Sequence, residues 1–162
     1  AGKSALASLI AEKYDCNLFH MDDYFLPPAK KTEARLKETG GNVDRERFQE
    51  EVLDQIRQGR DFFYKRYDCK SQALCTPTRV HTKKLNLVEG VYSMHPDLAH
   101  YYDLKLFLSV DEMEQSHRIL NRNGAQMHKR FLEEWIPLEN RYFAEFNIKD
   151  SCDFSIFNLK IL

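Results

Sequence analysis

Cysteine is scarce in this sequence, and its spacing excludes two kinds of site. Cys16, Cys69, Cys75 and Cys152 form no C-x-x-C pair and no closely spaced quartet with histidine. The pattern therefore encodes neither a zinc site nor a disulfide framework. The six histidines also lack a metal-binding spacing such as H-E-x-x-H, and we assign none of them a role. Reduced thiols indicate a cytoplasmic protein.

Long apolar runs and an excess of either charge are missing as well. No uninterrupted apolar run approaches the ~20 residues that span a bilayer, and the N-terminus lacks the apolar core of a signal peptide. The 24 Lys and Arg residues balance 25 Asp and Glu residues, which gives a net charge of -1. We therefore expect small-molecule partners held by local geometry, with no nucleic acid and no membrane bound. The sequence leaves open whether the chain forms a homo-oligomer.

What the chain does contain is an alternation of helical and strand-like segments, with a length of 162 residues that suits one domain. Strands are predicted over 17–21, 85–90, 104–111 and 153–158, and helices after Ser4, over 45–58 and after Asp111. Two aromatic and β-branched runs, 62–68 and 78–82, predict a small β-hairpin insertion. The proline- and glycine-containing stretch 24–41 predicts a mobile surface loop. This order predicts the α/β class, with an open parallel sheet flanked by helices.

The first four residues, Ala1-Gly2-Lys3-Ser4, match the second half of the phosphate-binding loop G-x-x-x-x-G-K-[ST]. In such a loop, backbone N–H groups hold phosphates, the lysine reaches the β- and γ-phosphates, and the hydroxyl binds magnesium. A serine that caps an ordinary helix explains the same residues, so the motif needs support from elsewhere.

Acidic residues at the ends of two predicted strands supply that support. Asp22 and Asp23 follow the first strand, and Glu89 ends a later one. The carboxyl ends of parallel strands share one edge of a sheet, and a phosphate-binding loop faces that edge. Phosphoryl transfer needs a base near the acceptor hydroxyl and an acid that holds the metal directly or through water. Asp22 suits the first role and Glu89 the second.

Six short segments, taken in order, match one family pattern. They are Gly2-Lys3-Ser4, Asp22-Asp23-Tyr24-Phe25, Asn42-Val43-Asp44, Tyr67-Asp68, Leu87-Val88-Glu89-Gly90-Val91-Tyr92 and Arg118-Ile119-Leu120-Asn121-Arg122. In these segments the sequence resembles the uridine kinase group of P-loop kinases, with nicotinamide riboside kinase, pantothenate kinase and phosphoribulokinase as relatives. The resemblance covers nearly the whole chain. It implies one P-loop kinase-like domain of the P-loop NTPase type over 1–162, with a helical lid, and with the first strand and the start of the loop missing.

The resemblance also implies an activity and a set of site residues. The activity is that of a phosphotransferase with an alcohol group as acceptor, which uses ATP and Mg2+ to phosphorylate a hydroxyl of a nucleoside such as uridine or cytidine, or of a related metabolite. The nucleotide-binding residues would be Gly2, Lys3, Ser4 and Ala5, and the metal-binding residues Ser4 and Glu89. The catalytic residues would be Asp22 as base, Lys3, Arg118 and Arg122, and the acceptor contacts Asp44, Tyr67 and Gln72.

Two departures from the family pattern leave the acceptor open. Gln72 stands where nucleoside-specific members carry a histidine, and Gln115 stands where an arginine would touch the nucleoside. Because a site built to hydrogen-bond one acceptor rejects analogues that lack the matching group, these changes bear on specificity more than on reaction type. The alternatives are a kinase of pantothenate, nicotinamide riboside or a sugar phosphate, and a non-catalytic nucleotide-binding regulatory domain.

Overall fold

A computed structural model describes residues 1–159, which divide into two compact units. The first unit comprises residues 4–101, and the second comprises residues 1–3 together with the chain from Tyr102 onward. The single domain that the sequence predicts over 1–162 stays a prediction. Among the described residues, no helix has both the length and the apolar composition that a membrane crossing requires.

A pair of parallel strands lies at the centre of the first unit. Strand β1 (Cys16–His20) follows helix α1 (Lys3–Lys13) and pairs with strand β6 (Leu85–Glu89). The register runs from Cys16 opposite Leu85 to His20 opposite Glu89, so that both strands end side by side. These elements confirm the predicted helix and strands. A 3-10 turn (Met21–Tyr24) follows β1 directly.

A short helix of the first unit lies in the segment where the sequence predicts a mobile loop. Helix α2 (Glu33–Lys37) forms there because the Thr32 hydroxyl caps its first turn. Arg35 also donates to the backbone carbonyls of Gly41 and Val43. The prediction of a mobile surface loop over 24–41 is thus wrong in part, because residues 33–37 form a helix. The hydrogen bonds of Arg35 to the backbone of Gly41 and Val43 stabilise this segment, and local sequence patterns do not reveal them.

The predicted helix over 45–58 is confirmed, with a widened turn in its middle. It consists of α3 (Arg45–Phe48), a π-helical turn (Gln49–Leu53) and α4 (Asp54–Gln58). Gly59 ends it in the left-handed conformation, with φ of 65°. The apolar stripe that predicted the helix is buried at Phe48 and Val52.

Four short antiparallel strands follow in two nested pairs. The outer pair is β2 (Phe62–Tyr64) with β5 (Thr78–Val80), and the inner pair is β3 (Tyr67–Asp68) with β4 (Ala73–Leu74). After β6, a 3-10 turn (Val91–Met94) leads into the short helix α5 (Pro96–Ala99). The two runs that predicted a hairpin do pair, through β2 and β5. That they form an insertion stays a prediction.

The second unit contains another pair of parallel strands and its longest helix. Strand β7 (Leu106–Ser109) pairs with β8 (Phe154–Phe157), and between them lie α6 (Glu112–Arg130), a π-helical turn (Phe131–Trp135) and α7 (Ile136–Glu145). Gly124, with φ of 76° and ψ of 169°, interrupts the helical geometry within α6. Parallel strands with connecting helices in each unit confirm the α/β class. The lid assignment stays a prediction.

Candidate active site

The structure brings together the two residues predicted to hold a metal. Ser4 lies in the first turn of α1 and Glu89 is the last residue of β6. The Ser4 hydroxyl donates to Oε1 of Glu89 over 3.1 Å. Eighty-five residues separate them in the chain, so the contact depends on how the first unit folds rather than on local sequence.

A third residue of this cluster was missed by the sequence analysis. Nδ1 of His20 lies 2.5 Å from the same Oε1 of Glu89. The contact follows from strand register, because His20 and Glu89 are opposite each other at the ends of β1 and β6. No local pattern marks His20, since the register of two parallel strands cannot be deduced from either strand alone. We call Ser4, His20 and Glu89 the strand-end cluster.

The predicted base, Asp22, lies in the 3-10 turn that begins one residue after β1. Its side chain is exposed, whereas that of the neighbouring Asp23 is half-buried. Burial raises the pKa of the Asp23 carboxyl, and the nearby charges of Arg66 and His20 oppose that shift. The two carboxylates therefore have different surroundings, and that of Asp22 faces solvent.

Asp44, a predicted acceptor contact, is almost completely buried and already paired. The ammonium of Lys30 contacts both carboxylate oxygens, at 2.9 and 3.1 Å, and Arg47 lies 3.6 Å away. Only 1% of the Asp44 side chain is exposed, against 55% for Lys30. Asp44 occupies the N-cap position of α3, as predicted, but its side chain makes no capping hydrogen bond because these cations engage it. An acceptor hydroxyl could reach the carboxylate only if Lys30 moved.

The other two predicted acceptor contacts lie in the inner antiparallel pair. Tyr67, in β3, is buried, and Gln72 is exposed with a positive φ of 54° in the segment before β4. Asp68 stabilises this segment by accepting from the backbone N–H of Lys70 and from Ser71. The roles of Tyr67 and Gln72 as acceptor contacts stay predictions.

Four of the remaining predicted phosphate-binding residues belong to the second unit, and three of these four are cations. Lys3, Arg118 and Arg122 each lie near Ala1. Gly2, with φ of 88°, lies close enough to Arg118 that an added Cβ would be 3.9 Å from its guanidinium. Arg118 also pairs with Glu114 one turn earlier on α6. Ala5, in contrast, belongs to the first unit and is exposed.

The donor chemistry of the strand-end cluster fits a magnesium ion bound mainly by its nucleotide. Mg2+ prefers oxygen ligands and commonly takes only one or two protein groups beside phosphates and water. Ser4 supplies a hydroxyl oxygen and Glu89 a carboxylate within one hydrogen bond of each other. Among residues 1–159, no group of three or more His, Cys, Asp or Glu side chains is placed to hold a metal ion.

Comparison with known proteins shows the fold. No protein-family model matches the sequence, and no curated protein matches it. Among solved structures, a candidate uridine kinase from Bacillus stearothermophilus superposes with a TM-score of 0.70 at 17% identity, over 96% of this chain and 82% of that one. A candidate fructose transport system kinase from Silicibacter sp. TM1040 gives 0.66 at 17% identity, over 95% and 81%.

A third solved structure, that of the YGR205w protein, gives a TM-score of 0.55 at 14% identity, over 96% of this chain and 79% of that one. The fold expected from the sequence motifs, that of uridine kinase-like and related P-loop kinases, is thus confirmed. Sequence identities of 14% and 17% establish the fold but not the substrate.

Proposed function

We propose that this protein is an ATP-dependent kinase of a small molecule, which transfers the γ-phosphoryl group to a hydroxyl of a nucleoside such as uridine or cytidine, or of a related metabolite. The observation that carries the proposal is the contact between Ser4 and Glu89. A hydroxyl at the start of a helix, bonded to an acid at the end of a parallel strand, is the arrangement that P-loop phosphotransferases use for the metal and its phosphates. The fold shared with candidate kinases supports it.

The residues of the first unit suit the proton and charge changes of this reaction. The acceptor hydroxyl attacks the γ-phosphorus, its proton passes to the Asp22 carboxylate, and the bond between the γ-phosphorus and the bridging oxygen breaks to release ADP. Ser4 and Glu89 would hold Mg2+, which neutralises charge on the phosphates when bound. Exposure of Asp22 is consistent with its access to an acceptor.

In the second unit, the cations suit the nucleotide's phosphates. Lys3, Arg118 and Arg122 each lie near Ala1. The family resemblance supports Lys3 on the β- and γ-phosphates and the two arginines on the transferred group. Tyr67 and Gln72 remain proposed acceptor contacts, and the cytoplasmic location remains part of the proposal.

One observation favours a second acceptor class. The exposed ammonium of Lys30 lies against buried Asp44, so the proposed acceptor site carries a solvent-accessible cation beside a buried carboxylate. An acceptor with its own carboxylate or phosphate could bind that ammonium while a hydroxyl meets Asp44. Pantothenate and sugar phosphates have this chemistry. Lys30→Met should then raise the KM of an anionic acceptor about 10-fold or more, whereas the KM of a neutral nucleoside should not rise.

The test is acceptor-stimulated release of ADP by the protein expressed from its complete reading frame. Nucleosides, ribosides, pantothenate and sugar phosphates are supplied one at a time at saturating ATP. Stimulation by one compound supports the kinase and names its acceptor. Binding of ATP without stimulation by any of them would favour a non-catalytic regulatory domain instead.

A further inference from the structure

The contact of His20 with Glu89 has no place in the function as proposed so far. Nδ1 of His20 lies 2.5 Å from Oε1 of Glu89, whereas the Ser4 hydroxyl lies 3.1 Å from the same oxygen. The His20 side chain is 41% exposed and that of Glu89 is 14% exposed. A histidine that served only to fill the core would be more deeply buried, so its position calls for another explanation.

We infer that His20 is a positioning residue: it fixes the carboxylate of Glu89 so that Ser4 and Glu89 together can hold a divalent cation with its nucleotide. The inference rests on the proposed function, since it assigns His20 to the same site. It adds a residue that the motifs of the sequence do not mark.

In the inferred arrangement His20 is a hydrogen-bond donor. An ionised carboxylate only accepts hydrogen bonds, so the tautomer that fits this role carries its hydrogen on Nδ1. The Ser4 hydroxyl has a single hydrogen and donates it to the same Oε1. Its oxygen lone pairs therefore remain available to a cation. Two donors that converge on one oxygen also restrict rotation of the carboxylate group.

Strand register makes the arrangement rigid. His20 and Glu89 are register partners on neighbouring parallel strands, where side chains at the same level point to the same face about 5 Å apart. The backbone after each strand is constrained too, because Gly90 packs against buried Met21. The backbone positions that carry the two side chains can separate only if β1 shifts against β6.

Loss of His20 should therefore weaken metal binding without removing a ligand. Outer residues that orient ligands typically contribute 10- to 100-fold to metal affinity or activity. We expect His20→Leu, which lacks a donor, to bind Mn2+ about 10-fold or more weakly in the presence of a non-hydrolysable ATP analogue. His20→Asn carries an amide N–H near the position of Nδ1 and should bind within about 3-fold of wild type.

A matched control is available at His81. Its Nδ1 also contacts a carboxylate, that of Asp61 at 2.7 Å, but both residues are exposed and lie outside the strand-end cluster. His81→Leu should leave Mn2+ binding unchanged. If the leucine variant at position 20 loses its fold by circular dichroism, the asparagine variant and a second donor-free variant, His20→Ala, provide the same comparison.

The experiment measures Mn2+ binding by electron paramagnetic resonance, and the Mg2+ dependence of turnover in parallel. The inference is supported if the leucine variant weakens Mn2+ binding and raises the Mg2+ concentration for half-maximal rate by a similar factor, with asparagine restoring both. Equal Mn2+ affinity in wild type and in the His20→Leu variant would overturn the inference, even if wild type turns over normally. Failure of the His20→Asn variant to bind Mn2+ like wild type would also overturn it. A wild-type protein that binds Mn2+ with nucleotide yet transfers no phosphoryl group would refute the kinase while leaving this comparison valid.

Discussion

Replacing Gly90 by alanine tests whether the end of β6 is packed as tightly as the structure shows. Gly90 has φ of 141° and ψ of 161°, a region of backbone geometry that is essentially restricted to glycine. An alanine Cβ would lie 2.6 Å from the Cβ of Met21 and 3.4 Å from its backbone N and Cα. Met21 is completely buried, so it cannot move aside into solvent.

Two costs add up in this variant. A non-glycine residue in such a region costs about 1 to 3 kcal/mol, and overpacking of a full core costs about 1 to 3 kcal/mol more. Alanine also reduces the entropy of the unfolded chain, which offsets about 0.4 to 1 kcal/mol of this destabilisation. We expect Gly90→Ala to lower the free energy of unfolding by about 3 to 4 kcal/mol, a large share of the stability of an ordinary domain.

Gly59 provides the matched control. It also has a positive φ, 65°, but an added Cβ would meet nothing within 4 Å. Gly59→Ala should therefore lower the free energy of unfolding by only about 1 kcal/mol, which is the strain of a left-handed alanine less the same entropic gain. Urea unfolding followed by circular dichroism gives both values. Equal midpoints for the two variants would refute the claim that Gly90 is packed against Met21.

Three other predictions concern single residues. Asp22→Asn should lower kcat at least 100-fold while the Kd for ATP changes less than about 3-fold, because the base acts on the acceptor; unchanged turnover would remove Asp22 from that role. Lys30→Met should lower the free energy of unfolding by about 1 to 3 kcal/mol, since among the described residues Asp44 then keeps Arg47, at 3.6 Å, as its one ion-pair partner. Lys31→Met, at an exposed neighbouring position, should change the free energy of unfolding by under about 0.5 kcal/mol. Equal urea midpoints for the two variants would contradict this. Burial, with the charges of Arg45 and Arg35, lowers the pKa of His95, so the unfolded chain binds the proton more readily and stability should fall as pH drops below about 6.5. His95→Asn, which can still accept from the N–H of Asp97, should show a flatter decline of the urea midpoint between pH 7.5 and 5.5, and parallel declines would refute the assignment.

Local patterns in the sequence predicted the elements well. The stripe of Phe48 and Val52 and the stop at Gly59 gave a helix over 45–58, and the apolar runs gave β1, β6, β7 and β8. Each of these signals depends on neighbours a few residues away, so periodicity suffices to detect it. The sequence also predicted that Ser4 and Glu89 lie close together, because the family resemblance assigns both residues to one metal.

Contacts between distant segments account for what the sequence did not predict. His20 meets Glu89 only because β1 and β6 pair in one particular register. Lys30 meets Asp44 only because the stretch that was predicted to be mobile is folded back, with Arg35 bonded to Gly41 and Val43. A single sequence carries no periodic signal for such pairs, since their spacing depends on the path of the whole chain.

The most direct test of the proposed activity follows the labelled γ-phosphoryl group of ATP in a single turnover. Protein from the complete reading frame is mixed with the acceptor found by ADP release, and the label is located by mass spectrometry. Wild type should place it on the acceptor hydroxyl, and Glu89→Gln should do so at least 10 times more slowly because the metal site loses its carboxylate. Label released only to water, or equal transfer by the Glu89→Gln variant, would contradict a kinase built on Ser4 and Glu89.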